Sequence, residues 1–271
     1  MRKPKESKYK QYFEEIERLY IEEHLSQRQI GEKLGIGKEA VHHIFRYYLT
    51  CVNTNRTLGD YADAYRKHKL NTSYFETIDS EDKAYFLGFL YADGYCNDAG
   101  MFLTLHNQDI HILKTFAKYL DSDETIIKPI KEKYSRLSVT NKETAIDLHK
   151  HGVVQAKTKI LTPPNISEKL ICHFIRGYFD GDGSIWFDKN ANSYRVQFIG
   201  TEAMVEFFQK FFGTKLKIRP ANKDKSVYRY GFSGNKQVGE LLDKLYLNAS
   251  SDLFLHRKYE KYIQCKQLCK K

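Results

Sequence analysis

The sequence predicts an α+β fold in which two pseudo-symmetric αββαββα repeats with antiparallel sheets follow a small all-α domain. Three observations predict it. Residues 86–94 recur at 175–183 with Gly, Asp and Gly at the same three positions. Each copy is a helical run followed by the same predicted order of hairpin, helix, hairpin and helix. Three short helical patterns precede the first copy.

Residues 1–50 predict a helix-turn-helix domain. Helical patterns cover residues 9–24, 27–34 and 38–48, with Ser26 placed to cap the second helix and a tight glycine turn before the third. The third helix presents side chains suited to a DNA major groove. These candidate contacts are Lys38, His42, His43 and Arg46. A small helical bundle that only mediates protein contacts is the alternative.

Residues 51–79 are polar and lack firm periodicity, which predicts a linker with a short helix near residues 61–67. Its basic residues either follow a nucleic-acid backbone or belong to a passive tether. Both interpretations fit the same composition.

The two repeats are predicted at residues 80–160 and 161–271. In the first, Ser80 is placed to cap the motif helix, which ends at Gly94. Predicted hairpins follow at 95–106 and 126–140, and predicted helices at 108–120 and 141–151. In the second, the motif helix ends at Gly183. Its predicted hairpins lie at 184–199 and 214–233, and its predicted helices at 201–212, 235–247 and near the C-terminus.

Each motif places two small residues on one helix face. Gly88 and Ala92 are four residues apart, as are Gly177 and Gly181, so each pair lies on one side of its helix. Such faces allow two helix backbones to touch. We therefore expect the two motif helices to pack on each other.

This packing would bring Asp93 and Asp182 side by side at the C-terminal ends of the two helices. Helix C-termini carry partial negative charge, so two carboxylates there repel each other and the helix dipoles unless a divalent cation joins them. The arrangement predicts a bound metal. Gly94 and Gly183 follow the acids and are predicted to end their helices in the left-handed conformation.

The predicted strands carry basic and polar side chains on one face and apolar side chains on the other. The polar-face residues are Arg136, Ser138, Thr140, Arg195, Gln197, Lys215, Lys217, Arg219 and Arg229. A solvated sheet face shows the same alternation, but few acids share these faces. Two such sheets related by the repeat axis would form a concave basic surface suited to lying along a duplex.

Composition favours a nucleic-acid partner and a reducing compartment. The 271 residues carry a formal net charge of +10, which favours a polyanionic partner, and 41% are hydrophobic, enough for a sizeable core. The five cysteines show no paired zinc spacing and predict reduced thiols. Neither a signal peptide nor an 18-residue apolar run is present, so we expect a cytoplasmic protein that is neither secreted nor bound to a membrane.

The two motifs, Phe-Leu-Gly-Phe-Leu-Tyr-Ala-Asp-Gly and Ile-Arg-Gly-Tyr-Phe-Asp-Gly-Asp-Gly, resemble the signature of single-chain LAGLIDADG homing endonucleases over roughly residues 75–265. The resemblance implies a monomer with double-stranded DNA seated on a saddle of paired sheets. It also implies hydrolysis of both strands with a short stagger, dependent on Mg²⁺, with two or three divalent ions at the repeat interface.

By position in the motif, Asp93 and Asp182 match the metal-binding acids of the family, and the backbone carbonyls of Ala92 and Gly181 match the neighbouring ligands. Asp180 occupies a motif position that is not a ligand. Related enzymes have a basic residue near each scissile phosphate after the last helix of each half. Lys157 and Lys258 match it best, either as catalytic residues or as phosphate clamps, with Lys159 or Arg257 as the alternatives.

Two other functions are consistent with such a scaffold. A transcription regulator would bind DNA without cutting it, but the retained pair Asp93 and Asp182 argues against this alternative. An RNA maturase would use the same basic surface to help an intron RNA fold, and the sequence leaves this alternative open.

Overall fold

The structure is a computed structural model that describes residues 10–23, 25–47 and 69–269. The chain divides into two compact units, Met1–Lys67 and His68–Lys271. The helix predicted near residues 61–67 lies outside the described residues, and the predicted domain limits stay a prediction. In the described part of the chain, no helix is both long and apolar enough to cross a membrane.

The described residues of the first unit form the α-helices α1 (Phe13–Ile21), α2 (Gln27–Leu34) and α3 (Lys38–Tyr47). The Ser26 hydroxyl accepts a hydrogen bond from the Gln29 backbone N–H, and the Gln29 side chain accepts one from the Ser26 N–H, which caps α2 reciprocally. Gly35 ends α2 with a φ of 64°, a left-handed conformation that glycine adopts without strain. The shared core is Ile16, Leu19, Tyr20, Ile30, Val41 and Ile44.

The second unit contains the two predicted repeats. The first consists of α4 (Glu81–Ala92), β1 (Gly94–Asn97), β2 (Gly100–His106), α5 (Ile110–Tyr119), β3 (Ile127–Lys131), β4 (Tyr134–Val139) and α6 (Lys142–Lys150). The second consists of α7 (Ile171–Asp182), β5 (Ser184–Asp188), β6 (Ser193–Gly200), α8 (Glu202–Phe212), β7 (Arg219–Pro220), β8 (Tyr228–Ser233) and α9 (Asn235–Tyr246), and α10 (His256–Leu268) follows.

Each repeat forms one antiparallel sheet with the same topology. The strand orders are β1-β2-β4-β3 and β5-β6-β8-β7. One face of each sheet is buried in a hydrophobic core that both repeats share, and the other face holds the polar residues that alternate along the strands. The predicted fold class is therefore confirmed.

Three local predictions were wrong. Ser80 occupies the N-cap position of α4, but its side chain accepts no capping hydrogen bond. Gly183 follows α7 in an extended conformation with a φ of −78°, and Gly94 is the first residue of β1, not a left-handed cap. Neither glycine needs a positive φ, because each motif helix leads directly into a strand.

The second hairpin of the second repeat is shorter than predicted. Residues 214–218 form no strand, and β7 consists of only two residues. The Gln209 side chain of α8 donates a hydrogen bond to the Leu216 carbonyl, a backbone group that would pair with β8 if this segment were a strand. Lys215 and Lys217 remain exposed and alternate with half-buried neighbours, but they precede the strand.

Candidate active site

The two motif helices pack backbone to backbone through the predicted small faces. A Cβ added to Gly88 would lie 2.0 Å from the carbonyl oxygen of Phe174, and one added to Gly177 would lie 1.9 Å from that of Tyr85. Real Cβ atoms do not approach so closely, so only glycine fits at either position. The two contacts are equivalent in the two repeats, which makes the seam between α4 and α7 pseudo-symmetric.

The seam continues to the two acids. A Cβ on Gly181 would lie 2.3 Å from the Ala92 Cβ and 3.3 Å from Asp93 Oδ2, so the Asp93 carboxylate lies beside the end of the opposite motif helix. Both Asp93 and Asp182 remain exposed to solvent. The structure thus brings together one predicted acid from each repeat.

The surroundings of the acids disfavour two negative charges in the absence of a cation. Partial burial raises the pKa of Asp182 to about 6, and the charge of Asp93 contributes in the same direction. Burial by the packed helix ends also raises the pKa of Asp93, although its carboxylate remains accessible, while Lys258 and Lys157 act to lower it. A divalent cation held by the two carboxylates would offset the repulsion between them and the free-energy cost of burying their charges.

Each predicted lysine lies at the motif of its own repeat. The Lys157 ammonium donates to the carbonyl oxygen of Gly94. The Lys258 ammonium donates to that of Gly183, at the equivalent position, over 2.6 Å. The structure therefore brings both lysines to the two acids, and their catalytic roles stay a prediction.

The two lysines differ in accessibility. Lys157 is half-buried, and burial lowers its pKa while Asp182 and Asp93 act in the opposite direction. Lys258 lies in the first turn of α10 and is only 3% exposed, and it also donates to the carbonyl oxygens of Phe179 and Asp180. Burial lowers its pKa to about 8. In this conformation Lys258 caps the end of α7, whereas Lys157 is the more accessible of the two.

The two alternative basic residues are paired elsewhere. Lys159 forms an ion pair of 3.0 Å with Asp224. Arg257 Nε donates to both carboxylate oxygens of Asp109 at 3.1 Å. Arg257 nonetheless lines a cavity of about 380 Å³ that Asp93 also lines, whereas Lys159 does not line it.

Asp180 is buried, unlike the two acids of the seam. Its Oδ2 accepts hydrogen bonds of 2.9 Å from the Tyr85 hydroxyl and from the Leu255 backbone N–H. Asp180 therefore joins α7 to α4 and to the segment that leads into α10. This structural role agrees with the interpretation that Asp180 is not a metal ligand.

The donor set suits a hard cation. Within the described ranges, no group of three or more His, Cys, Asp or Glu side chains could hold a metal. Mg²⁺ prefers six oxygen ligands and commonly takes only one or two carboxylates, with water and phosphate completing the shell. Asp93 and Asp182, the backbone carbonyls of Ala92 and Gly181, and phosphate oxygens would supply such a shell.

The outer sheet faces carry most of the predicted DNA contacts. On the first sheet, Arg136 and Ser138 lie on the polar face of β4, and Thr140 follows one residue after the strand. On the second, Arg195, Gln197, Arg219 and Arg229 line a groove of about 420 Å³ together with Lys217 and Trp186. Arg195 forms an ion pair of 2.7 Å with Asp188, an acid that the strand pattern did not reveal as a partner.

Sequence reasoning missed Lys128. It lies directly opposite Arg136 on the outer face, as Arg219 lies opposite Arg229. Pro129 and Pro220 follow Lys128 and Arg219, so aligning the two prolines of the repeats would have identified Lys128.

In the first unit, the predicted contacts Lys38, His42 and His43 are exposed on α3. His42 Nδ1 lies 3.3 Å from the Gln27 side-chain oxygen, which orients its ring. The side chain of Arg46 lies outside the described residues. Whether this unit binds DNA stays a prediction.

Comparison with known proteins identifies the fold. No protein-family model matches the sequence. A DNA polymerase of Acanthamoeba polyphaga mimivirus is 25% identical over 175 residues, a match that covers 58% of this chain and 10% of the polymerase. The chain thus spans about a tenth of the length of that relative.

Solved structures with a similar fold include two that are bound to DNA. The LAGLIDADG homing endonuclease I-GzeII in complex with its DNA target matches with a TM-score of 0.50 at 11% identity, covering 72% of this chain and 90% of that one. The LAGLIDADG homing endonuclease I-LtrWI bound to target DNA matches with a TM-score of 0.47 at 10% identity, covering 74% and 92%. The chain has the fold of single-chain, two-repeat LAGLIDADG homing endonucleases.

Proposed function

We propose that this chain is a site-specific DNA endonuclease that makes a staggered double-strand break by metal-dependent phosphodiester hydrolysis. One observation carries the proposal: the seam between the repeats holds one accessible acid from each half, Asp93 and Asp182, and each half brings a lysine to the same place. One acid and one lysine from each pseudo-symmetric half would provide one set of catalytic groups for each of the two antiparallel strands of a duplex. Because both halves lie in one chain, a monomer would contain the complete site.

The acids and the lysine of the site would have different roles in the reaction. Asp93 and Asp182, when deprotonated, would hold the divalent ions together with the carbonyls of Ala92 and Gly181. A bound divalent cation lowers the pKa of a water and neutralises charge that develops on the phosphate. Lys157 lies with its ammonium next to the acids, where it stabilises negative charge on the phosphate group.

The outer sheet faces would hold the duplex. Exposed side chains on these faces are basic or able to form hydrogen bonds, and the net charge of +10 favours association with phosphates. Base edges in the major groove are within reach of side chains on a β-sheet laid along it. The same surface would also suit structured RNA, which is why binding alone does not test the proposal.

The test is selection followed by cleavage. Duplexes with a long randomised segment are bound to the full-length chain in EDTA, recovered, and incubated with the chain and Mg²⁺ before the new ends are sequenced. We expect the ends to fall at fixed positions with a constant short stagger. Tight sequence-specific binding without any cleavage would favour a regulator, and binding confined to RNA would favour a maturase.

The metal requirement should depend on pH. Because the pKa of Asp182 is raised to about 6, the metal-free carboxylate is ionised above that pH and protonated below it. Protons then compete with the cation, so the Mg²⁺ concentration for half-maximal cleavage should rise by about tenfold per pH unit below 6. Mg²⁺ titrations of the cleavage rate at several pH values measure this shift. An unchanged half-maximal concentration would show that Asp182 does not hold the cation.

The first unit should add affinity without setting the cut position. Deleting residues 1–50 is expected to lower DNA affinity on the order of 100-fold, because a tethered second module acts at high effective concentration. The salt dependence of binding should flatten, since fewer phosphates are neutralised. Binding titrations at several salt concentrations and sequencing of the cut ends measure both. A shifted cut position would show that this unit sets the register.

A further inference from the structure

We propose that the two halves of the DNA target differ in a defined way: the half under the second repeat is read at guanines, and the half under the first repeat is read at thymines. The inference rests on the proposed function, because it assumes that the outer sheet faces lie along a duplex. It specifies which substrate that function takes.

The strand register makes the two outer faces comparable position by position. Tyr95, the first residue after the motif glycine, lies opposite Phe102. Ser184, the first residue after the second motif glycine, lies opposite Gln197. Differences between such pairs are therefore differences in what each half presents to the DNA.

The first repeat presents an aromatic surface. The rings of Tyr95 and Phe102 have centroids 5.9 Å apart, and Tyr95 is 46% exposed. Further along β2 and β4, Tyr134 is 44% exposed and packs edge-on against His106. Apolar side chains in the major groove contact the C5-methyl group of thymine, which no other base carries.

The second repeat presents a pair of arginines, with one exposed ring, Trp186, in the same groove. Arg219 and Arg229 lie directly opposite each other on β7 and β8, and like charges in that position repel. Within the described ranges, neither guanidinium group takes part in a hydrogen bond or an ion pair. Arg195 is excluded from the proposal because Asp188 already pairs with it. Arg219 and Arg229 line the same open groove, where two unpaired guanidinium groups are suited to bind hydrogen-bond acceptors of a ligand.

The first repeat lacks this arrangement at the equivalent place. There Lys128 lies opposite Arg136, and Arg136 Nε donates to the Thr104 hydroxyl over 3.0 Å. Lysine lacks the planar arrangement of N–H donors that a guanidinium group has. Arg136 has this arrangement, but its Nε–H already donates to Thr104. Arginine binds O6 and N7 of guanine with two parallel hydrogen bonds, which is the commonest specific contact in the major groove. Unlike Lys128 and Arg136, Arg219 and Arg229 thus carry guanidinium groups whose N–H donors are all unengaged within the described residues.

The experiment uses the full-length chain and reads binding in EDTA, so it does not depend on cleavage. Duplexes selected from a randomised segment are sequenced, and the selection is repeated with Arg219→Ala, Arg229→Ala and the control Lys236→Ala. Lys236 lies on α9 with 86% of its side chain exposed, away from the sheet face. We expect guanine preference in one half to fall by about 5- to 150-fold in each arginine variant, at separate positions, and to persist in the control.

The thymine half is tested with uracil, which lacks only the methyl group. Replacing the selected thymines with uracil should weaken binding of the wild-type chain by about 4-fold per contacted position, the equivalent of one buried methyl group. Phe102→Ala should lose this difference, and the more exposed Tyr95→Ala provides a second variant if Phe102→Ala folds poorly. Equal binding of thymine and uracil targets would overturn the assignment.

The arginine assignment is overturned if Arg219→Ala and Arg229→Ala weaken binding equally for all sequences, which is the behaviour of phosphate contacts. The proposed function is tested separately. If the selected targets show the guanine half and the thymine half but the chain does not cleave them, only the endonuclease proposal is contradicted. Cleavage at selected targets that show no difference between halves would contradict only the present inference.

Discussion

Asp93→Asn and Asp182→Asn should each lower the rate of double-strand cleavage by about 1,000-fold or more while DNA binding in EDTA is retained. Asparagine keeps the shape of the side chain but removes the charge that holds a divalent cation, and metal stabilisation of the transition state is worth several kcal/mol. Cleavage time courses on a selected target at saturating Mg²⁺ measure the loss. Asp98→Asn, an exposed change in the turn between β1 and β2, is the matched control and should cut at the wild-type rate.

The same variants should fold normally, which separates a chemical defect from an unfolded protein. The pKa of Asp182 is raised in the folded state from an ordinary value of 3.8 to about 6. Its ionised form therefore destabilises the fold above pH 6, and this cost disappears as pH falls through that range. Asp182→Asn should have a Tm at pH 7 that is equal to or above that of the wild type. Cleavage within tenfold of the wild-type rate in either variant would remove that acid from the mechanism.

The seam and its acids were predictable because their signals are local. A small residue at every fourth position defines a helix face without knowledge of the partner, and repetition of the motif supplies the partner. Gly88 and Gly177 thus indicated the packing of α4 on α7, which the structure confirms. The alternation on β4, β6 and β8 was predictable for the same reason, since a period of two needs only the strand itself.

Interactions between distant parts of the chain were not predictable. Arg176 replaces the motif residue Leu87 of the first copy and is fully buried, although arginine in a sequence normally indicates an exposed position. Its guanidinium donates to Glu81 and to the carbonyls of Leu245 and Leu253. These partners are 69 to 95 residues away, so no spacing rule identifies them.

The hydrogen bonds of Asp180 were not predictable from the sequence either. Its motif position separates it from the two acids of the seam, but its bonds to Tyr85 and Leu255 had no signal in the sequence. Arg176 and Asp180 occur only in the second copy, and both contact the first motif helix and the chain near α10. The departures of the second motif from the first therefore join the repeats and hold the C-terminal segment that carries Lys258.

Gly177→Ala should lower the free energy of unfolding by about 2 kcal/mol or more, because overpacking of a core typically costs that much and the added methyl group would meet backbone, not a side chain that can move. The Cβ would lie 1.9 Å from the Tyr85 carbonyl oxygen, so α4 and α7 would have to separate. Gly88→Ala, whose Cβ would lie 2.0 Å from the Phe174 carbonyl oxygen, should behave alike. Thermal and urea unfolding of the full-length chain measure the loss, expected as a drop in Tm of about 4–8 °C.

Gly239→Ala is the matched control, since it places the same methyl group on another buried helix position. There the nearest atom is the Lys266 Cδ at 3.0 Å, on a flexible side chain that can move aside. Alanine also favours a helix by about 1 kcal/mol over glycine, so this variant should be as stable as the wild type or more so. If Gly177→Ala and Gly239→Ala unfold alike, the motif helices do not touch through their backbones. The acids would then not be held side by side, and the proposed metal site would lose its structural basis.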